Sequence, residues 1–233
     1  MSVETTNTQV TQVLSDRINR LAESATIAMA KKARELEAKG HSVIKLNFGE
    51  PDFQTPDHIK AAAKQAIDDG YTFYTPVAGY PELRQAVADK LNRDNQLNWK
   101  GENIVVSTGA KQSLANVLMC LLNPGDEVIV FAPYWVTYTE IIKVAEGKAV
   151  IVDGSFDNNF KVTPEQLEAA ITPKTKAILY SSPSNPTGSV YTKAELRALA
   201  DVLARHDDIF VVADEIYEYV IDERNRRFQD LLT

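Results

Sequence analysis

The chain holds one cysteine, Cys120, and three histidines in 233 residues. A single thiol allows no internal disulfide, so no disulfide framework braces the fold. The histidines, His41, His58 and His206, are scattered, and no metal-ligand spacing is visible. Positive charge is in short supply: 25 Lys and Arg against 32 Asp and Glu give a net charge of −7. Binding to nucleic acid in general needs a basic face, and this balance argues against it. No apolar run approaches the ~18 residues that a membrane-spanning helix needs. The opening MSVETTNTQVTQVLSD lacks a basic start and an apolar core, so it does not read as a secretory signal. These absences point to a soluble, acidic, cytoplasmic protein.

What is present is ordinary globular composition, 44% hydrophobic and 24% charged. The length is enough to bury a sizeable core. A helical pattern runs from about Arg17 to Lys39 and stops at Gly40. SVIKLNFGEPDF reads as a short strand ending at Gly49. TPDHIKAAAKQAIDDG reads as a helix capped by Thr55, and YPELRQAVADKLNRDN as another. An alternation then sets in. NIVVST, DEVIVFA, KAVIVD, KAILYSS and DIFVVAD read as strands, with helical segments between them. Two of those helices open with capping boxes, Thr163 to Gln166 and Thr192 to Glu195. Strand–helix alternation with continuously apolar strands predicts a mostly parallel sheet with helices on both faces, an α/β fold. The boundary falls near residue 50, with an N-terminal tail and arm over 1–50 and an α/β domain over 51–233. Cys120, inside NVLMCLLNPG, reads as a helix core residue.

Ligands of open parallel sheets bind beyond the carboxyl ends of the strands. The residues just after each strand are therefore the informative ones. Gly109-Ala110-Lys111 follow NIVVST. Small residues at a helix start leave amides free for an anion, and a bound anion would offset the placing of Lys111 in the first turn. Taken alone, a tight turn with a solvated lysine explains this stretch as well. Trp135 follows DEVIVFAP and can stack on a flat ring or simply pack in the core. Asn185, in the turn NPTG, presents an amide that both donates and accepts. Asp214 ends the run FVVA, and Tyr217 comes one turn later. A carboxylate at the end of a buried strand is costly without a partner. Together these are an anion cradle, a stacking ring, an amide, a carboxylate and a phenol. A flat, phosphorylated, nitrogen-containing heterocycle such as pyridoxal phosphate would use all five.

The motifs FGEPDF, YTPVAGYPELR, GAKQ, PGDEVIVFAPYWVTY, SPSNPTG and ADEIYE resemble those of fold-type I, class I aminotransferases, most closely the bacterial aspartate type. The likeness runs from about residue 17 to the end, in order and at the family's spacing. It implies that Asp214 pairs with the pyridine nitrogen of pyridoxal phosphate. It implies that Asn185 and Tyr217 bond the cofactor's phenolic oxygen, that Trp135 stacks on the ring, and that Gly109, Ala110 and Lys111 hold the phosphate. Tyr74 would reach the phosphate of a neighbouring subunit, which implies a homodimer with shared sites. Gly49 would lie beside the substrate. Lys111, with Ser24 and Thr26 of ESATIAMA, would meet the distal carboxylate of aspartate or glutamate. The implied reaction moves an amino group from aspartate to 2-oxoglutarate.

A family lysine that anchors the cofactor and shuttles the proton lies beyond ADEIYE, and no matching segment occurs before RRFQDLLT. Lys143, Lys148, Lys161, Lys174 and Lys176 read as solvated. The family's arginine for the substrate α-carboxylate is likewise unmatched. The 233 residues alone are thus expected to bind the cofactor weakly, not to transaminate, and to leave a sheet edge exposed. Two alternatives remain at this stage. One is another fold-type I enzyme, an aromatic aminotransferase or a carbon–sulfur lyase. The other is a catalytically dead binding or dimerisation module.

Overall fold

The computed structural model describes residues 13–22, 25–45, 49 and 53–220, without the side chains of 25 and 26. Its helices are α1 (Asp16–Asn19), α2 (Ala25–Ala38), α3 (Asp57–Asp68), α4 (Pro81–Asn95), α5 (Ala110–Leu121), α6 (Thr137–Val144), α7 (Pro164–Ala170) and α8 (Lys193–Leu203). Its strands are β1 (Glu127–Ala132), β2 (Lys148–Asp153), β3 (Thr175–Ser181) and β4 (Phe210–Asp214). By contacts the chain divides into two units. One gathers the described residues up to Ala22, with Arg93–Leu97 and the described residues from Ser107 on. The other comprises Glu23–Asn92 and Asn98–Val106. No helix among the described residues is long and apolar enough to cross a membrane.

The first unit is the predicted α/β layer structure. All strand pairs are parallel, in the order β2-β1-β3-β4. Side chains alternate across a strand, and the core divides accordingly. Val128 and Val130 of β1, with Ala177 and Leu179 of β3, pack against Leu114 and Leu118 of α5 and Ile141 and Ile142 of α6. Ile129 and Ile178 point the other way, to Leu167 of α7 and Leu199 and Val202 of α8. Both capping boxes form. Thr163 accepts from the Gln166 amide and Thr192 from the Glu195 amide, and each acidic or amide partner reaches back. The buried Glu127 at the start of β1 accepts from the Lys148 ammonium at 2.9 Å and the Thr172 hydroxyl at 2.7 Å. Those two bonds, Thr172 first, hold its carboxyl below the usual range.

Several local expectations are corrected. NIVVST is not a strand: Ile104 is extended, but no ladder forms, and Val105 is exposed. Extended backbone becomes a strand only when a neighbouring strand pairs with it. Here the Val106 amide bonds the Ala78 carbonyl at 3.0 Å and Arg84 bonds the Ile104 carbonyl, but no ladder forms among the described residues. No strand is assigned over 41–45 either, and 46–48 lie outside the described residues. The single helix read from Arg17 is two, because α1 closes at Arg20 and the Ala22 amide bonds Glu140 instead. Thr55 does not cap α3. Pro56 takes the capping position, and no side chain bonds the first turn. Cys120 is exposed. Leu114 and Leu118 set the buried face of α5, and a residue two positions on from Leu118 turns ~200° away from it. Lys161 is buried, ion-paired with Glu195 at 2.5 Å.

Candidate active site

The strand order reverses at β1, whose sequence successor β2 lies on one side and β3 on the other. Such a switch point opens a crevice at the carboxyl ends of the strands. The segments leaving β1, β3 and β4 there carry Trp135, Asn185, Asp214 and Tyr217.

Asp214 is only 8% exposed. Its register partner is Ser181, the last residue of β3. Tyr138 donates its phenol to Asp214 Oδ2 at 2.7 Å, and the Ile216 amide donates to Oδ1 at 3.3 Å. Among the described residues no lysine, arginine or histidine pairs with it. Two hydrogen bonds leave part of a carboxylate's acceptor capacity unused. Tyr138 itself is 1% exposed. Burial, then the hydrogen bond and charge of Asp214, push its ionisation far above the usual phenol range, with the Ser181 hydroxyl a smaller opposing influence. The phenol is therefore a donor that keeps its proton.

Tyr217 follows in the turn after β4. That turn is pinned by Asn95 donating to Glu218 at 2.6 Å and Tyr219 donating to Asp94 at 2.7 Å. Asn185 Nδ2 donates to the Tyr217 phenol at 3.0 Å. The loop carrying Asn185 is closed on itself by Ser184 N–H to Ser189 O at 2.9 Å and Gly188 N–H to Ser184 O at 2.8 Å. The Ser189 hydroxyl ties that loop to the Asn159 carbonyl at 2.5 Å.

Trp135 stands edge-on to Tyr138, with ring centroids 5.7 Å apart. Lys111 Nζ lies 4.9 Å from the Trp135 ring centre, a cation–π contact. Among the described residues no carboxylate pairs with Lys111. Gly109 caps α5 with φ +82°, and nothing stands within 4 Å of the place a Cβ would occupy. Among the described residues the first-turn amides of Ala110 and Lys111 have no backbone acceptor, as at any helix start. Lys111, Trp135, Tyr138 and Asp214 thus form one contiguous run, with Asn185 and Tyr217 a second contact pair.

Of the residues singled out from the sequence, those two groups come together within one unit. Tyr74 and Gly49 belong to the other unit, and Tyr74 is fully exposed. Ser24 lies outside the described residues, as does the side chain of Thr26. Tyr138 is the site residue that the sequence reading missed. Its burial was readable, since Tyr138, Ile141 and Ile142 fall at i, i+3 and i+4 on one helix face. Its partner, 76 residues away, was not.

A parallel sheet with a strand-order switch, an indole beside it and a buried carboxylate at the carboxyl end of β4 make this unit an α/β domain with its polar side chains gathered at one sheet edge. The chain belongs to the aminotransferase class I and II family, whose model matches residues 41–229. It is 53% identical over 208 residues to the aspartate/prephenate aminotransferase of Cereibacter sphaeroides, covering 89% of this chain and 52% of that protein. It is 50% identical over 205 residues to the aspartate aminotransferase of Bacillus subtilis, covering 88% and 52%. Among solved structures, the aspartate aminotransferase from Thermus thermophilus with maleate superposes with a TM-score of 0.86 at 47% identity, covering 90% of this chain and 55% of that one. That from Rhizobium meliloti gives 0.87 at 42% identity, covering 90% and 52%. The chain spans about half the length of the relatives it matches.

Proposed function

We propose that the complete protein is a pyridoxal-phosphate-dependent aminotransferase taking its amino group from a dicarboxylic amino acid. The observation that carries this reading is Asp214: a buried carboxylate with no cationic partner among the described residues and acceptor capacity to spare. A protonated pyridine nitrogen is the partner that such a group fits. The donor set around it suits the rest of the molecule. Gly109, Ala110 and Lys111 would hold the phosphate with amides and a cation, Trp135 would cover the ring, and Asn185 with Tyr217 would bond the phenolic oxygen. When bound, the cofactor supplies an electron sink for the charge left as the substrate loses its α-proton. The protein's part is to keep a negative charge at the ring nitrogen through Asp214 and to fix the oxygen-side hydrogen bonds through Asn185 and Tyr217. Lys111, lacking a carboxylate partner among the described residues, also suits the distal carboxylate of aspartate or glutamate, with Ser24, Thr26 and Gly49 as the remaining substrate contacts. The neighbour solved with maleate, a four-carbon dicarboxylate, supports that choice. Tyr74, fully exposed, would serve a second copy in a homodimer.

The anchoring lysine and an arginine for the α-carboxylate would come from sequence after residue 233. The experiment is to express the complete protein and the 233-residue chain side by side. Amino transfer from aspartate to 2-oxoglutarate and a visible cofactor band are expected of the first and not of the second. Robust turnover by the 233-residue chain would refute the assignment of the lysine. No turnover and no band from the complete protein would refute the function and favour a catalytically dead module. Several relatives are named aspartate/prephenate aminotransferase, so prephenate belongs in the same assay as a second amino acceptor.

A further inference from the structure

Tyr138 has no place in the reading above, yet it is the only side chain among the described residues that hydrogen-bonds the Asp214 carboxylate. We propose that Tyr138 is a positioning residue, whose phenol grips Asp214 Oδ2 and so leaves the opposite oxygen presented to the ligand. The proposal rests on the reading of Asp214 as partner to the cofactor's ring nitrogen.

Three observations support it. First, the grip is one-directional. Tyr138 is almost wholly buried and keeps its proton, so it donates and Asp214 accepts. Second, a phenol suits the task better than a lysine or arginine. A cation would neutralise the charge that the ring nitrogen needs, whereas a neutral donor orients the carboxylate and leaves its charge in place. Third, the donor is itself held rigidly. Tyr138 lies on the buried face of α6 with Ile141 and Ile142, inside the cluster formed with β1 and β3, and the Trp135 ring meets it edge-on. A side chain locked by packing holds its hydrogen-bond partner to one geometry. The same tyrosine therefore fixes two groups at once, the carboxylate for the ring nitrogen and the indole for the ring face.

The test uses the complete protein and a cycle of Tyr138→Phe, Asp214→Asn and the double variant. Phenylalanine keeps the packing and removes only the hydroxyl. Two quantities are read: the dissociation constant for pyridoxal phosphate by absorbance titration, and the position of the bound cofactor's visible band. Tyr138→Phe is expected to weaken binding roughly ten-fold and to move the band. In the Asp214→Asn background it should do neither. Equal weakening in both backgrounds, or an unmoved band with unchanged affinity, overturns the proposal, since a merely structural tyrosine would act the same way whatever stands at 214. If the unmodified protein takes up no cofactor, the functional reading fails. The cycle is then read by urea unfolding without cofactor. Non-additive losses at 138 and 214 support the grip, and additive losses overturn it.

Discussion

β1 and β4 look interchangeable as sequence: EVIVFA against FVVAD, each a short apolar run at a strand's proper length. Their surroundings are opposite. Every residue of β1 is buried, while Phe210, Val211 and Ala213 of β4 are exposed and only Asp214 is buried. β1 lies between β2 and β3 with α5 and α6 on one face and α7 and α8 on the other. β4 pairs only with β3 among the described residues. Hydrophobicity along a strand thus reports what the strand is fit to be covered by, and position in the sheet decides what covers it here. An apolar edge with free backbone groups is a place where further chain can add. Among the described residues β4 has a strand partner on one side, and its one buried residue is Asp214.

The contrast can be broken at several points. The largest effect is expected in the buried interior. Leu179→Ala in β3, whose side chain is wholly buried, should cost about 2–5 kcal/mol in urea unfolding. A loss below ~1 kcal/mol would mean that the interior of the sheet is as loosely covered as its edge. A smaller effect is expected at the helix that flanks β3. Thr192→Ala removes the cap of α8 and should cost about 0.5–2 kcal/mol, while Thr192→Ser should recover most of it.

Next comes an effect that depends on pH. The Glu127 carboxyl is held below its ordinary value by Thr172 and Lys148. Glu195 behaves likewise: burial raises its value, but bonds from Lys161 and Thr192 outweigh that. A carboxyl whose folded value is depressed adds stability above its unfolded value of roughly 4.5, and that stability is lost as pH falls through the folded value. Thr172→Val should therefore open a stability gap to the unmodified protein at neutral pH that closes in acid. A gap that widens in acid would contradict the assignment. The smallest effect belongs to the edge. Val211→Lys should change stability by within about 0.5 kcal/mol, yet make the 233-residue chain less prone to self-association in light scattering.

Much of this was readable beforehand, for identifiable reasons. The capping boxes of α7 and α8 are local, three residues apart, so the sequence carries them whole. The strands β1 to β4 announce themselves by apolar runs. Asp214, Asn185 and Tyr217 stand out because they are polar residues at or just past the carboxyl ends of those runs. What failed was whatever depends on a distant partner. Residues 103–108 have strand character, but among the described residues no strand pairs with them. Lys161 was read as solvated because Glu195, 34 positions on, is invisible from its local sequence. Tyr138 belongs to the same class. Cys120 failed for another reason: its neighbours in sequence are apolar, but helical phase places it on the outward side.

Gly109 has room around it and a left-handed backbone, φ +82° with no atom near the absent Cβ. A Cβ would meet nothing there; conformationally few side chains would settle, at a cost of about 1–3 kcal/mol, because φ +82° with ψ 161° is a region that essentially glycine alone occupies. The requirement at this position is thus one of handedness rather than of space. A random substitution would leave no clash for a crystallographer to see, and would register as a change in the direction in which α5 sets out and its first amides point.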